Sequence, residues 1–388
     1  MFKVVVGHSV DPESQDAIEE ILEQCQESLA DLKPQAGILL AALDFDHELV
    51  LQEINQSFPG IELIGCTTDG EMSSILGFEQ GSLTLMLFCS DTVQIHAGVG
   101  HRTAEDAIAA AAEAVKQATD KSTEEAKLCI TLPASYIDAE TVTSGEEILK
   151  GLNLVLGAQI PVVGGTAGDK SLFQKSYQFF GTEVLTDALP VLIFSGDLVY
   201  SFGAGCGWQT IGKKSIVTKS KENVVYEIDG KSAKDFYQQY IGDVEPAKEN
   251  PLAVYTDEGD RHYLRVPNLC DKKTGSITFL GNVPENSEIQ LTEVSRDRII
   301  EASRASFEMA LDRYTGDKPE ATLLFSCCCR RWVLGTRTKE EYQLVQNVLE
   351  KEIPSCGFYT YGEFSPLNPD GVNFFHQETF VTLLLGTE

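Results

Sequence analysis

A chain of 388 residues, 43% hydrophobic and 23% charged with no low-complexity tract, exceeds what one ordinary core needs, so two or more domains are expected. Thirty basic against 59 acidic side chains leave a formal charge of −29, which repels phosphate backbones and anionic lipid and argues against nucleic-acid binding. The N-terminus lacks the basic flank and cleavage site of a secretory signal, and no apolar run reaches the ~18–20 residues that span a bilayer. The expectation is a cytoplasmic acidic protein with no membrane insertion.

In chain order, "FKVVVGHS" is a short β-rich run, and Ala17, Ile21, Leu22, Cys25 and Leu29 then recur at helical spacing. "AGILLAAL" and "IELIGCT" read as buried strands separated by the helical "DHELVLQEINQSF". After a glycine-rich acidic turn, "GSLTLMLFCS" and "VQIHAGVG" read as consecutive antiparallel strands. A second pass begins at the alanine-rich helix "TAEDAIAAAAEAVKQAT". It continues through strand "KLCITLP", helix "SGEEILKGLNLVLG", strand "IPVVGGT", a turn, and strands "KSYQFFGT", "ALPVLIFSG" and "LVYSFGAGCGW". Residues 213–293 differ, being strand-rich with one helix, "SAKDFYQQYIG", and turn signals "IDGK", "DEGD" and "DKKTG". A third pass runs from "SRDRIIEASRASFEMALDRY" through strand "ATLLFSCCC", helix "TKEEYQLVQNVLEK" and "IPSCGFYTYGEF" to the terminal "TFVTLLLG".

The fold class implied is mixed α/β, with internally repeated α-β-α-β units, mixed sheets flanked by helices, and a strand-rich insert. Two units occupy roughly 1–100 and 101–212. A C-terminal domain, 213–388, holds the insert and a third unit at 294–388, with the boundary near Gly212.

Each pass ends a strand in the same kind of turn. The first copy has Gly65, Thr67, Thr68, Gly70 and Glu71; the second Gly165, Thr166, Gly168 and Asp169; the third Gly357, Tyr359, Thr360, Tyr361, Gly362 and Glu363. Glycines permit positive φ and close approach, while the hydroxyls and carboxylate suit a polar ligand or local backbone amides. A duplicated fold repeats its structural turns, so recurrence points to architecture first. No phosphate loop or dinucleotide fingerprint is present.

The ten cysteines are mostly isolated in apolar segments and lack zinc-site spacing, which suits structural thiols. On a strand, Cys328 would face away from Cys327 and Cys329, so the triplet is not expected to chelate, and no metal site is expected. Arg330 and Arg331 follow at the strand's end, where an arginine suits either a ligand carboxylate or a structural acid such as Glu363. Cys327 beside an arginine has the makings of a nucleophile, but no base lies near it in sequence. The six histidines form no metal or haem-attachment motif; His8 and His376 sit at strand ends.

These landmarks resemble the FIST family, the F-box and intracellular signal transduction proteins. "LIGCTTDGEM" and "PVVGGTAGD" suggest its N-terminal half. The "GWQTIGKKSIVTKSKENVVYEIDGKSAKDFYQQYIG", "FSCCCRRWVLGTRTKEE", "GFYTYGEFSP" and "FHQETF" stretches suggest its C-terminal half. Cys327, Arg330, Gly357, Tyr361, Gly362, Glu363 and His376 match the family pattern; Gln377 stands where asparagine is usual. The resemblance implies a cytosolic sensory domain for a small polar molecule such as an amino acid, working in signal transduction. Its output would pass through a separate partner such as a histidine kinase, because the two halves fill the chain. The ligand-binding expectation is Arg330 for a carboxylate, Glu363 and Glu71 for an ammonium, and Thr67, Thr166 and Tyr361 as hydroxyl partners, with Cys327 and His376 in the site. One alternative is a haem-binding nitric-oxide sensor acting on a partner kinase, otherwise no cofactor being expected. The other is a cysteine-dependent enzyme using Cys327, although a non-enzyme is the leading expectation.

Overall fold

The computed structural model describes residues 1–256, 261–348, 353–366 and 371–388; the turn expected at "DEGD" and the end of the helix expected through Lys351 lie outside them. Three six-stranded mixed sheets and one eight-stranded sheet form the framework among the described residues. The first sheet runs Phe2–Ser9, Leu83–Ser90, Ala36–Ala41, Glu62–Thr67, then the hairpin Gln178–Phe180 and Glu183–Leu185. The second runs Val93–His101, Ala188–Gly196, Ala126–Thr131, Val162–Gly165, then the hairpin Glu363–Pro366 and Asn373–His376. The third runs Val199–Gly205, Phe380–Gly386, Ala321–Cys327, Ser355–Thr360, then the hairpin Glu71–Ser73 and Gly77–Glu79. Each sheet therefore borrows its outer hairpin from a distant part of the chain. In each, the third and fourth strands are the parallel pair.

This order corrects one expectation. Leu83–Ser90 and Val93–His101 are not neighbours: the first pairs with Phe2–Ser9 and Ala36–Ala41, the second with Ala188–Gly196. The short connection "DT" between them carries the chain from one sheet to the next instead of closing a hairpin.

Period-two alternation explains how the sheets pack. Ile38, Leu40, Met86 and Phe88 of the first sheet, Ile130 and Phe194 of the second, and Phe325 and Leu383 of the third all enter one shared core. The intervening residues face helices. Leu39, Leu85 and Leu87 meet helices Ser14–Leu29 and His47–Ser57, while Leu324 and Leu384 meet Phe307 of helix Arg296–Arg313 and Tyr342 of helix Thr338–Val348. Strands covered on both faces read as unbroken apolar runs, and Ala36–Ala41 and Ala321–Cys327 are buried throughout. Glycine sets the helix distance on Val199–Gly205: a Cβ at Gly203 would lie 2.0 Å from the Ser306 carbonyl oxygen of helix Arg296–Arg313.

Residues beyond the third sheet's first strand build the eight-stranded sheet, with its own core of Val217, Phe236, Tyr237, Ile289 and Leu291. Gly212 lies within the bulged strand Gln209–Lys221 at φ +74, so the chain enters this sheet without an intervening linker.

Candidate functional site

The three acidic turns meet. Gly168 N–H donates to the Thr67 carbonyl at 2.8 Å, Thr166 N–H to that of Gly362 at 2.9 Å, and Asp69 N–H to that of Tyr359 at 3.0 Å. Each turn thus bonds to both others, at the end of the parallel strand pair in each sheet. Two of their carboxylates are turned inward. Thr68 Oγ1 donates to Glu71, which also accepts from Ser82 Oγ at 2.6 Å. Thr360 Oγ1 donates to Glu363 at 2.6 Å, and Thr379 N–H donates to the other oxygen at 3.1 Å. Burial pushes Glu71 up to about 7 and Glu363 up to about 8. These carboxylates close turns and are not among the residues that line the cavity described below, although Glu363 touches one of them, Cys327.

Gly362 shows why this turn needs glycine: its φ is +157 and a Cβ would lie 2.3 Å from the Phe375 ring.

The second turn works differently. Asp169 accepts from the N–H groups of Phe173, Gln174 and Lys175 at 2.6 to 2.9 Å and from the Tyr361 hydroxyl. It thereby folds the following segment over the turns, with Lys170, Ser171 and Phe173 all at positive φ. Phe173 stacks on Tyr361 with centroids 4.6 Å apart. Arg331 reaches the same place: Nη2 lies 2.7 Å from Asp69 Oδ2 and 3.1 Å from Ser171 Oγ.

Beneath Phe173 and Tyr361 lies a small cavity of about 50 Å³. Ser135, Thr143 and Thr166 line one side; Cys327, Cys328, Cys329 and Gln377 line another; Lys248, Val266 and Leu280 of the strand-rich region close it. Thr166 Oγ1 is buried and has no hydrogen-bond partner among the described residues. Lys248 Nζ sits 3.7 Å from the Phe173 ring centroid and 4.4 Å from that of Trp332, a cation held against aromatic faces.

Three of the residues expected from sequence, Thr166, Tyr361 and Cys327, line this cavity. Thr67 Oγ1 instead donates to the Gly168 carbonyl at 2.7 Å, and Glu71 and Glu363 close their own turns. His376 is buried beside Ser365, with Nε2 3.1 Å from its hydroxyl, and burial lowers its pKa to about 4.

Arg330 is fully buried and lies against Glu341, with Nη2 2.8 Å and Nε 3.0 Å from Oε1. Its remaining donors go to Ser303 Oγ and to the carbonyls of Ile299, Gly205, Cys206 and Glu378. Glu341 in turn accepts from Ser303, Ser326 and Tyr359. The structural acid for Arg330 is therefore Glu341 rather than Glu363.

The cysteine triplet also departs from expectation. The strand ends at Cys327 and helix Cys328–Leu334 begins at once, so successive side chains turn by about 100° instead of flipping by 180°. The three Sγ atoms consequently lie within 4.8 Å of one another, a potential ligand set that a continuous strand would have split. Burial first, then Cys327, raises the Cys328 thiol well above its usual value. Cys328 pulls the Cys327 thiol down, while Cys329, burial and Glu363 push it up, leaving it well above the free-thiol range. A poised cysteine nucleophile has the opposite setting.

Lys248 comes from a turn about 80 residues before the cysteines, with nothing local to signal its role. Gln377, by contrast, sits in the sequence motif itself: its Oε1 accepts from Val266 N–H at 2.8 Å, tying the connection between strands Asn373–His376 and Phe380–Gly386 to the strand-rich region. None of the residues lining this cavity is a histidine that could serve as an axial haem ligand.

The three turns converge beside a cavity whose lining comes from both the N-terminal and the C-terminal parts of the chain. Residues 35–231 match the FIST N domain and residues 233–366 match the FIST C domain. The chain belongs to the FIST family. FIST domains are associated with signal transduction and small-ligand sensing. It is 28% identical over 275 residues to an uncharacterised protein of Methanocaldococcus jannaschii, a match covering 66% of this chain and 49% of that one. The matched part thus spans about half the length of this curated relative. Among solved structures, cyanuric acid hydrolase from A. caulinodans aligns over 50% of this chain and 71% of its own, with 10% identity and a TM-score of 0.29. No helix among the described residues is long and apolar enough to cross a membrane.

Proposed function

We propose that the chain is a sensor that encloses a small polar ligand in the cavity beneath Phe173 and Tyr361, and that a carboxylate-bearing molecule such as an amino acid is the ligand class. The observation that carries this reading is Thr166 Oγ1, buried at the cavity wall without a partner. An unpaired buried hydroxyl costs about 1–3 kcal/mol, which a ligand hydrogen bond would recover. Lys248 supplies the cation for a carboxylate, while Ser135 and Thr143 add polar contacts. Arg330 is committed to Glu341, so the ligand's anionic group falls to Lys248 instead.

Signalling follows from where the walls originate. Lys248 belongs to the strand-rich region, Thr166 to the second turn and Tyr361 to the third. A ligand that bridges them favours the closed arrangement and alters the outer face read by a separate protein, such as a histidine kinase. Calorimetric titration with the amino acids should give saturable binding that Thr166→Val weakens by roughly tenfold, the equivalent of one lost hydrogen bond of about 1.4 kcal/mol. Lys248→Ala should weaken it further. Equal binding by both variants would remove this cavity as the site.

A further inference from the structure

We propose that Cys327, Cys328 and Cys329, together with the carboxylate of Glu378, form a binding site for one thiophilic divalent cation of the zinc type. Three thiolates at about 2.3 Å from a shared ion stand about 4 Å apart. The Sγ atoms already lie within 4.8 Å of one another, so only a small inward rotation separates the present arrangement from a coordinating one.

Glu378 supplies the second, independent observation. Its side chain is wholly buried, and among the described residues its carboxylate meets no nitrogen or oxygen donor, only the Cys329 thiol. Its backbone takes φ +62, a region that a non-glycine residue occupies at some cost. That conformation is held from outside, because Arg330 Nη1 donates to the Glu378 carbonyl at 3.3 Å. Burial and Glu363 oppose the charge of this carboxyl, while the neighbouring Cys329 thiol and Arg330 favour it. Structural packing alone does not account for a strained residue whose buried carboxyl meets only a thiol, a weak donor, since burying such a group so poorly paired costs stability.

Thiolate-rich donor sets with a carboxylate suit zinc-type ions rather than magnesium or calcium. Three thiolates and a carboxylate around a divalent ion leave two negative charges. Arg330 beside Glu378 and Lys248 on the same cavity offset them. Loading breaks three S–H bonds and the Glu378 carboxyl O–H bond, forms three metal–sulfur bonds and one metal–oxygen bond in place of the ion's bound waters, and passes four protons to solvent, with no change of oxidation state. The cavity provides the route in, because all three cysteines line it. The metal ligands are distinct from Thr166 and Lys248, the side chains on which the organic-ligand reading of this same cavity depends.

The test uses the full chain, reduced and stripped with a chelator. Zinc competed against a chromophoric chelator should bind at a single equivalent, and cobalt(II) should give a thiolate-to-metal charge-transfer band. Cys328→Ser should weaken zinc by about 100-fold or more, whereas Cys270→Ser, in the eight-stranded sheet, should not change it. Glu378→Gln should keep the charge-transfer band but alter the cobalt ligand-field bands. Thr166→Val should leave metal binding intact, which separates failure of this site from failure of the small-ligand site. Absence of the charge-transfer band in the wild-type protein overturns the proposal without relying on any variant. Equal zinc affinity in a folded Cys328→Ser protein overturns it as well.

Discussion

Arg330 and Glu341 illustrate how a single residue's setting decides its role. Both are fully buried, and the arginine joins the strand end, helix Arg296–Arg313 and the Glu378 backbone through one guanidinium. Removing one partner of such a pair leaves the other as an uncompensated charge, which costs about 3–5 kcal/mol. Arg330→Met should therefore lower unfolding free energy by about that amount in urea titrations. Retained stability with loss of ligand binding would instead return Arg330 to the binding site. The residue itself was legible in the sequence as an arginine at a strand end. Its partner was not, because Glu341 lies on a later helix and only the three-dimensional register brings them together. The same limit hid Thr166 as a hydroxyl without a partner: whether a buried group is satisfied depends on neighbours distant in the chain.

At the level of elements, the acidic turns were legible because glycine, hydroxyl and acid recur at each strand end. Their mutual hydrogen bonding and the exchange of hairpins between sheets were not, because local patterning carries no information about which sheet a hairpin joins. The hairpin Glu363–Pro366 with Asn373–His376 depends on the turn that launches it, where Gly362 is at φ +157 against the Phe375 ring. Gly362→Ala should destabilise the protein by about 1–3 kcal/mol through strain and overlap. Hydrogen exchange should locate the loosening in this hairpin and in its partner strand Val162–Gly165. Uniform loss of protection across all the sheets would contradict that local account. The cysteine triplet belongs at this scale too: its apolar run marked a strand, but the point where strand became helix was set by tertiary packing around Arg330 and Glu341.

For the whole molecule, buried ionisable groups determine how stability varies with pH. Burial raises Glu71 to about 7 and Glu363 to about 8 from 4.5, with Asp69 acting further against the first and Arg330 and Cys327 favouring the charge of the second. Groups with raised folded values contribute stability that is complete below their unfolded pKa and lost as pH rises through the folded value. Burial lowers His8 and His376 to about 4 from 6.5, so their contribution is complete above 6.5 and lost as pH falls through about 4. Between about 4.5 and 6.5 the two pairs oppose one another; above 6.5 the carboxylates act alone. Deprotonating them also adds to a net charge already at −29, which increases self-repulsion. Thermal melts should therefore show the midpoint falling by roughly 2–5 °C between pH 6.5 and 8.5. Glu363→Gln should flatten that slope, because a neutral amide has no proton to lose. Added salt should raise the midpoint more at the upper end of the range, where screening acts on the larger charge. A midpoint that rises with pH over this interval would mean that Glu71 and Glu363 are ionised in the folded state and compensated by their neighbours.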